Sequence, residues 1–272
     1  MSRLIRIMIK LAALITFSIL FLIIGYILVK GLPNIKPSLF ALEYTTENVS
    51  LFPAIVTTII MTFLSLMIAV PIGIFSGFYL VEYAKNGNKL VNIIRITTET
   101  LSGIPSIVYG LFGLLFFVTT LGWGFSILAG AFTLSIMILP LIIRSTEEAL
   151  LAVPDTLREA SFGLGAGKLR TIFKVVLPVA MPGILSGIIL GIGRIVGETA
   201  ALIYTAGTVP KIPNSLFSSA RTLAIHMYAL SSEGLYTNEA NATAVILLIV
   251  VIGINGLSSY FTKKLLKGNY NG

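Results

Sequence analysis

The chain of 272 residues contains no cysteine and a single histidine, and only 11% of its residues are charged. The first absence excludes disulfides, thiolate metal centres and a cysteine nucleophile. The second leaves His226 without another imidazole, or a carboxylate at ligand spacing, so no metal site is expected. The scarcity of charge, beside a hydrophobic share of 56% and a mean hydropathy of +0.97, excludes a water-soluble globule. Catalytic signatures are missing too. There is no Gly-x-Ser-x-Gly elbow and no His-Glu-x-x-His, and carboxylates within the apolar runs are too sparse for a paired acid–base site. The chain is therefore not an enzyme by itself. Gly167-Lys168 invites comparison with a phosphate-cradling loop, but Phe162 and Leu169 stand where that motif needs Gly and Ser or Thr. Any nucleotide used here is bound by another polypeptide.

What the chain has is apolar length. Runs at 11–30, 51–81, 100–118, 125–143, 177–206 and 241–262 approach or exceed the ~20 residues that carry a helix across ~30 Å of hydrocarbon. They are continuous rather than alternating, which favours helices over barrel strands. The expected fold is all-α and integral to the membrane, with six transmembrane helices. The first run follows Arg3, Arg6 and Lys10 as a signal peptide would. It is too long for one and lacks a small-residue cleavage site before Lys30, so it counts as the first helix.

Alternate loops carry very different amounts of Lys and Arg. With the N-terminus inside, the cytoplasmic side holds thirteen, from Arg3, Arg6 and Lys10 through Lys85, Lys89, Arg95, Arg158, Lys168, Arg170 and Lys174 to Lys263, Lys264 and Lys267. The outer side holds Lys30, Lys36, Lys211 and Arg221. This bias places both termini in the cytoplasm. The net charge of +8 then reflects topology and the lipid bilayer, not nucleic acid. The chain divides into an N-terminal helix and outer loop at 1–50, a core at 51–262 with a cytoplasmic loop at 146–176 and an outer loop at 207–240, and a basic tail at 263–272.

In the cytoplasmic loop Pro154-Asp155 reads as a helix start, and Leu157, Phe162, Leu164, Leu169, Ile172 and Phe173 alternate with charges. Two short amphipathic helices separated by a bend at Gly163, Gly165 and Gly167 are expected. They either lie on the membrane surface or offer a docking surface to a soluble partner. The string "EASFGLGAGKLRTIFKVVLP" resembles the cytoplasmic signature of type I ABC-transporter permeases, Glu-Ala-Ala-x-x-x-Gly followed by an apolar stretch and Leu-Pro. Glu159, Ala160, Gly165, Leu177 and Pro178 match as they stand, Ser161 replaces the second Ala, and Leu164-Gly165-Ala166 reproduces the neighbours of the central Gly. The resemblance implies a coupling helix seated on an ATPase subunit, with Glu159, Ala160, Ser161, Gly165 and Ala166 at the contact. ATP and magnesium belong to that ATPase, and this chain is expected to bind no cofactor.

A second string sets charge inside the membrane. Arg194 lies ~25 Å along the helix axis from Leu177, so it occupies the central or outer membrane and should face protein or a water-filled path. Glu198, four residues on, is expected on the same face. One reading is a structural ion pair. Arg preceding Glu is the weaker order for such a pair, which points to another partner for one of them. Gly183, Gly187 and Gly191 recur every four residues, so one flank can approach a neighbour closely, and the charged face is expected toward a subunit interface. An arginine there, with the Thr199 hydroxyl near, suits the passage of an oxyanion.

"GRIVGETAAL" and "GIPSIVYGLFG" resemble the phosphate-specific, PstA-like branch of those permeases. Arg194 and Glu198 map onto its functional Arg and Glu. Pro105 breaks the second string's helix, so that Gly103, Ser106 and Tyr109 either line the path or only mark a packing kink. The resemblance implies the inner membrane of a prokaryote, a homologous PstC-like permease, two PstB-like ATPase subunits and an extracytoplasmic PstS-like phosphate-binding protein. Molybdate or sulfate is the alternative cargo. An autonomous secondary transporter would show internal repeats and no docking loop, and the chain shows no clear repeat and a plain loop. Arg144, beside Glu147 and Glu148, reads as an ordinary ion-paired residue at an inner helix end. In the outer loop, 215–230 reads as an amphipathic helix lying at the interface or serving as a landing surface for a binding protein.

Overall fold

The computed structural model describes residues 3–84 and 89–270, with no account of the side chains of Arg3, Leu90, Glu233 and 261–270. Arg3, Lys85, Lys263, Lys264 and Lys267 of the charge count, and the tail at 263–272, lie outside the described side chains. Eleven α-helical segments and no strands occur among the described residues: α1 Arg3–Gly31, α2 Phe52–Phe78, α3 Lys89–Ser102, α4 Ser106–Gly113, α5 Ile127–Leu151, α6 Asp155–Gly163, α7 Lys168–Thr171, α8 Leu177–Val196, α9 Ala200–Ile203, α10 Leu223–Glu233 and α11 Thr237–Tyr270. Five stretches are long and apolar enough to cross a membrane: α1, α2, α5, α11, and a 29-residue span running from Lys168 to Val196.

A sixth crossing is bent. α3 and α4 meet at 103° across Gly103–Pro105, where proline lacks the N–H that would continue the helix. Tyr109 closes the corner by donating from its phenol to the Leu101 carbonyl at 2.7 Å, which supplies a partner to a helix-end carbonyl. The third apolar run therefore starts as a helix at Ser106, and residues 100–102 belong to α3. Proline shapes the fifth crossing as well. Pro178 cannot donate to the turn before it, and Ile172–Val176 widen into a π-helical segment that joins α7 to α8 without a break. The second of the two amphipathic helices expected in the cytoplasmic loop is thus the inner end of a spanning helix.

α5 is the hub, and Leu134, Met137, Ile138, Ile142 and Leu150 are buried along it. α2 lies against it through Gly73 and Gly77, where an added Cβ would meet Ile142 and Thr146 at 2.6 Å. α8 lies against it through Gly183 and Gly187, facing Ala149 and Ser145. The glycine flank of α8 is therefore spent on α5 of the same chain, not on another subunit. The first N–H groups of α5 are satisfied by the outer loop: Ile127 and Leu128 donate to the carbonyls of Ser218 and Leu216, and the Ser126 hydroxyl caps Ala129.

The outer loop departs from its expected form. Residues 215–222 are irregular, and the helix spans 223–233. Its Leu223, Ala224, Ile225 and His226 are all at most 1% exposed. α10 is inserted into the fold rather than laid on an interface, with the Leu223 N–H donating to the Thr58 hydroxyl of α2 at 2.9 Å. Its own pattern could not reveal this, because the burial is supplied by α2 and α11, which pack against it. His226 sits edge-on to Tyr44, whose ring also carries the Arg221 guanidinium 4.7 Å from its centre. Burial first, and Arg221 second, push the imidazole down to about 3, so it is neutral at physiological pH.

Candidate functional site

Two groups of residues matter: the charged string at the outer end of α8, and the cytoplasmic loop.

α8 stops at Val196, with Gly197 as its cap, and the chain turns before α9 begins at Ala200. Arg194 and Glu198 consequently do not share one helical face, and among the described residues no ion pair joins them. Glu198 is 8% exposed, and its carboxylate accepts the Ala201 N–H at 3.0 Å, holding the first turn of α9. Gly110 of α4 packs so closely on Ala201 that an added Cβ would lie 2.7 Å from its Cα. Glu198 thus fixes a junction between α8, α9 and α4.

Arg194 is left half-buried on the open side, at a cleft of about 710 Å³ between α5, α8 and α11 lined by Leu141, Ser186, Ile189, Leu190, Gly193 and Asn255 besides itself. Tyr109 lies within electrostatic reach of the guanidinium, although it is 5% exposed and its hydroxyl is committed to Leu101. Ser106 stands one turn before Tyr109 on α4, and Thr199 sits in the break between α8 and α9; both are half-buried. The structure therefore sets Arg194 at the cleft, commits the Tyr109 hydroxyl to Leu101, turns Glu198 to the backbone, and leaves Ser106 and Thr199 at helix starts.

The sequence reading missed Asn255. Its buried side-chain carbonyl has no hydrogen-bond partner, and it shares the cleft with Arg194. The available signal was an amide isolated within the apolar run 241–262, where such a group is costly.

The cytoplasmic segment is built around Gly165. α6 starts just after Pro154, as the sequence indicates, and ends in a Schellman motif. Ala166 N–H donates to Ser161 O at 3.1 Å and Gly165 N–H to Phe162 O at 2.8 Å, with Gly165 at φ +81°. Of the three glycines expected to bend the loop, this is the one in the left-handed region. The Ser161 hydroxyl meets that of Thr171 at 2.8 Å and ties the loop back to α7. Glu159 and Ala160 are exposed, and Leu164 (90%), Leu169 (63%) and Phe162 (48%) present bare apolar surface beside them. Arg144 pairs with Glu148 at 2.9 Å, the ordinary role read from its neighbours.

Comparison with known proteins places this architecture. Residues 69–267 match the model of the family described as binding-protein-dependent transport system inner membrane component. The chain is 35% identical over 271 residues to "Probable ABC transporter permease protein YqgI" of Bacillus subtilis (strain 168), covering 91% of this chain and 90% of that one. It is 37% identical over 207 residues to "Phosphate transport system permease protein PstA 1" of Mycobacterium tuberculosis (strain ATCC 25618 / H37Rv), covering 75% and 67%. Among solved structures, a chain of a bacterial ABC transporter involved in the import of the acidic polysaccharide alginate shares the fold at a TM-score of 0.62 and 18% identity, over 95% of this chain and 96% of that one. A chain of the MetNI methionine ABC transporter does so at 0.57 and 21%, over 80% and 94%. The chain belongs to the binding-protein-dependent transport system inner membrane components: it is a multi-pass permease subunit of an ABC importer, seated in the inner membrane of a prokaryote, with ATP hydrolysis left to partner subunits.

Proposed function

We propose that this permease carries inorganic phosphate, pairing with a homologous PstC-like permease above two PstB-like ATPase subunits and receiving its cargo from an extracytoplasmic PstS-like binding protein. Relatives named as phosphate permeases support the substrate. The observation that carries the reading is Arg194. It is a guanidinium in the last turn of an apolar span, free of any ion pair among the described residues and opening onto a cleft. At the centre of a span such a charge costs roughly 2.5–3.5 kcal/mol on the mildest scale and less toward its end, and work on an anion accounts for its retention. A planar, permanently charged donor group suits a tetrahedral oxyanion and holds it through short-lived bidentate contacts. Glu198, Thr199, Ser106 and Tyr109 act on the path only at one remove, through the α8–α9–α4 junction beside the cleft. Glu159, Ala160, Ser161, Gly165 and Ala166 form the face toward the ATPase, which binds ATP and magnesium.

The test is reconstitution with the candidate ATPase and second permease, comparing ATP-driven uptake of phosphate, sulfate and molybdate. Phosphate should be taken up preferentially, and Arg194→Ala should remove most uptake without loss of assembly. Preference for sulfate or molybdate would replace the substrate. Full uptake by the Arg194→Ala chain would return Arg194 to a structural role.

A further inference from the structure

Arg158 immediately precedes the coupling string, and its contacts reach well beyond the loop. All five of its N–H donors are used. Nε and Nη2 donate to one Glu82 carboxylate oxygen at 3.2 and 2.9 Å, Nη1 to the Val153 carbonyl at 2.7 Å and to Asp155 at 3.1 Å, and Nη2 also to the Leu150 carbonyl at 2.9 Å. The pair is enclosed, with side-chain exposures of 15% and 9%. Glu82 lies in the π-helical turn Tyr79–Tyr83 that ends the α2 crossing. The same turn is gripped a second time: Lys168, at the start of α7, donates to the Glu82 carbonyl and places its ammonium 4.6 Å from the centre of the Tyr83 ring. Apolar contacts continue the seam, with Phe78 against Phe173 and Leu150, Val153, Ile172 and Val176 buried beneath.

From this we infer that Arg158 and Glu82 form the joint through which movement of the coupling helix reaches α2, so that α2, α5 and α8 are driven as one body. The inference rests on reading 155–171 as the ATPase-facing segment. The covalent chain links α6 only to α5 and α8, whereas α2 lies 76 residues away and is joined by side chains alone. Apolar contacts permit sliding, while a forked, fully bonded guanidinium fixes both distance and direction. Arg158 is a positioning residue: it touches neither cargo nor nucleotide.

The experiment uses the complete complex in proteoliposomes and reads phosphate taken up per ATP hydrolysed. Arg158→Gln and Glu82→Gln should assemble and hydrolyse ATP but lose uptake per ATP on the order of tenfold, a size typical of coupling between two sites. Arg158→Lys should not restore it, because an ammonium lacks the fork. The exchange Glu82→Arg with Arg158→Glu should recover part. Because the chain has no cysteine, Tyr79→Cys gives this chain a single reporter at the inner end of α2, and its maleimide labelling rate, read on this chain after separation from its partners, should change between ATP and ADP in the native background but not with Arg158→Gln. This reporter does not depend on the cargo, so absence of phosphate uptake in the native complex would overturn the substrate while leaving the joint testable. If Arg158→Gln prevents assembly, Glu82→Gln decides, since it leaves the contacts of Arg158 with α5 in place. Unchanged uptake per ATP in Glu82→Gln, or equal losses of hydrolysis and uptake, or an ATP response of the reporter that survives Arg158→Gln, would overturn the inference.

Discussion

Replacing the three spaced glycines of α8 by alanine, one at a time, should give three different outcomes. At Gly187 the new methyl group would overlap the hydroxyl and Cβ of Ser145, closer than any tolerated contact. At Gly183 it would lie 2.6 Å from the Ala149 Cβ, against an ordinary carbon–carbon separation of ~3.5–4.0 Å. At Gly191 it would meet only the tip of Ile138, at 4.0 Å. Relief at the first two positions requires α8 and α5 to separate by about 1 Å over a shared seam, and overpacking of this kind costs ~1–3 kcal/mol. The third substitution adds helix propensity with no clash and should be neutral or stabilising by ~0.5–1 kcal/mol. Unfolding of the isolated chain in micelles of rising denaturing-detergent content should therefore rank Gly187→Ala as least stable, Gly183→Ala next and Gly191→Ala at or above the native chain. Adding Ser145→Gly to Gly187→Ala should restore much of the loss, because it removes the obstructing side chain. Three variants that unfold like the native chain but fail to associate with a second permease would refute the reasoning and return the glycine flank to an intersubunit role.

Two further outcomes follow from the loops. His226 is held neutral by burial and by Arg221, well below the ~6.5 of an unfolded histidine. A depressed value means that stability is fully present above ~6.5 and is lost as pH falls toward the folded value, so acidification from pH 7 to 5 should cost about 2 kcal/mol. Thermal unfolding at the two pH values should show this for the native chain and not for His226→Leu; equal pH sensitivity in both would place the titrating group elsewhere. In the cytoplasmic loop, Gly165→Ala meets no atom within 4 Å but must hold φ +81°, whereas Gly163→Ala meets neither obstacle. A backbone strain of ~1 kcal/mol at the helix end should lower ATP-driven uptake in the first and leave the second unchanged, with membrane insertion equal in both. Equal activity of the two would show that uptake does not depend on the Schellman turn.

Much of the architecture was visible in the sequence because the bilayer imposes length and continuity on any helix that crosses it. Pro105 announced the break in the third crossing, and Pro154-Asp155 announced the start of α6, since each acts through local backbone chemistry. What escaped notice depends on tertiary neighbours. Leu223 to Leu230 carry a pattern that suits an interface equally well, and only packing against α2 and α11 makes the helix buried. The regular glycines of α8 signal a close approach without saying which helix supplies it. Glu82 and Arg158 are unremarkable as separate charges, and nothing local joins a residue at the end of one crossing to another 76 positions later.

The separation of Arg194 from Glu198 has the same origin and a greater consequence. A glycine alone seldom ends a membrane helix, and no proline stands between Gly197 and Pro210, so the string reads as continuous. The turn forms because Glu198 has somewhere better to go: its carboxylate takes the Ala201 N–H at the start of α9, and α9 is pressed onto Gly110. In a continuous helix the two charges would stand one turn apart and largely cancel, though in the weaker order for such a pair. In the observed arrangement the carboxylate is consumed by the backbone of the protein and the guanidinium keeps its full charge at the cleft. That division explains why acid and base are both present in so apolar a span. It also requires Glu198→Gln, which preserves an acceptor for Ala201, to be better tolerated than Glu198→Ala.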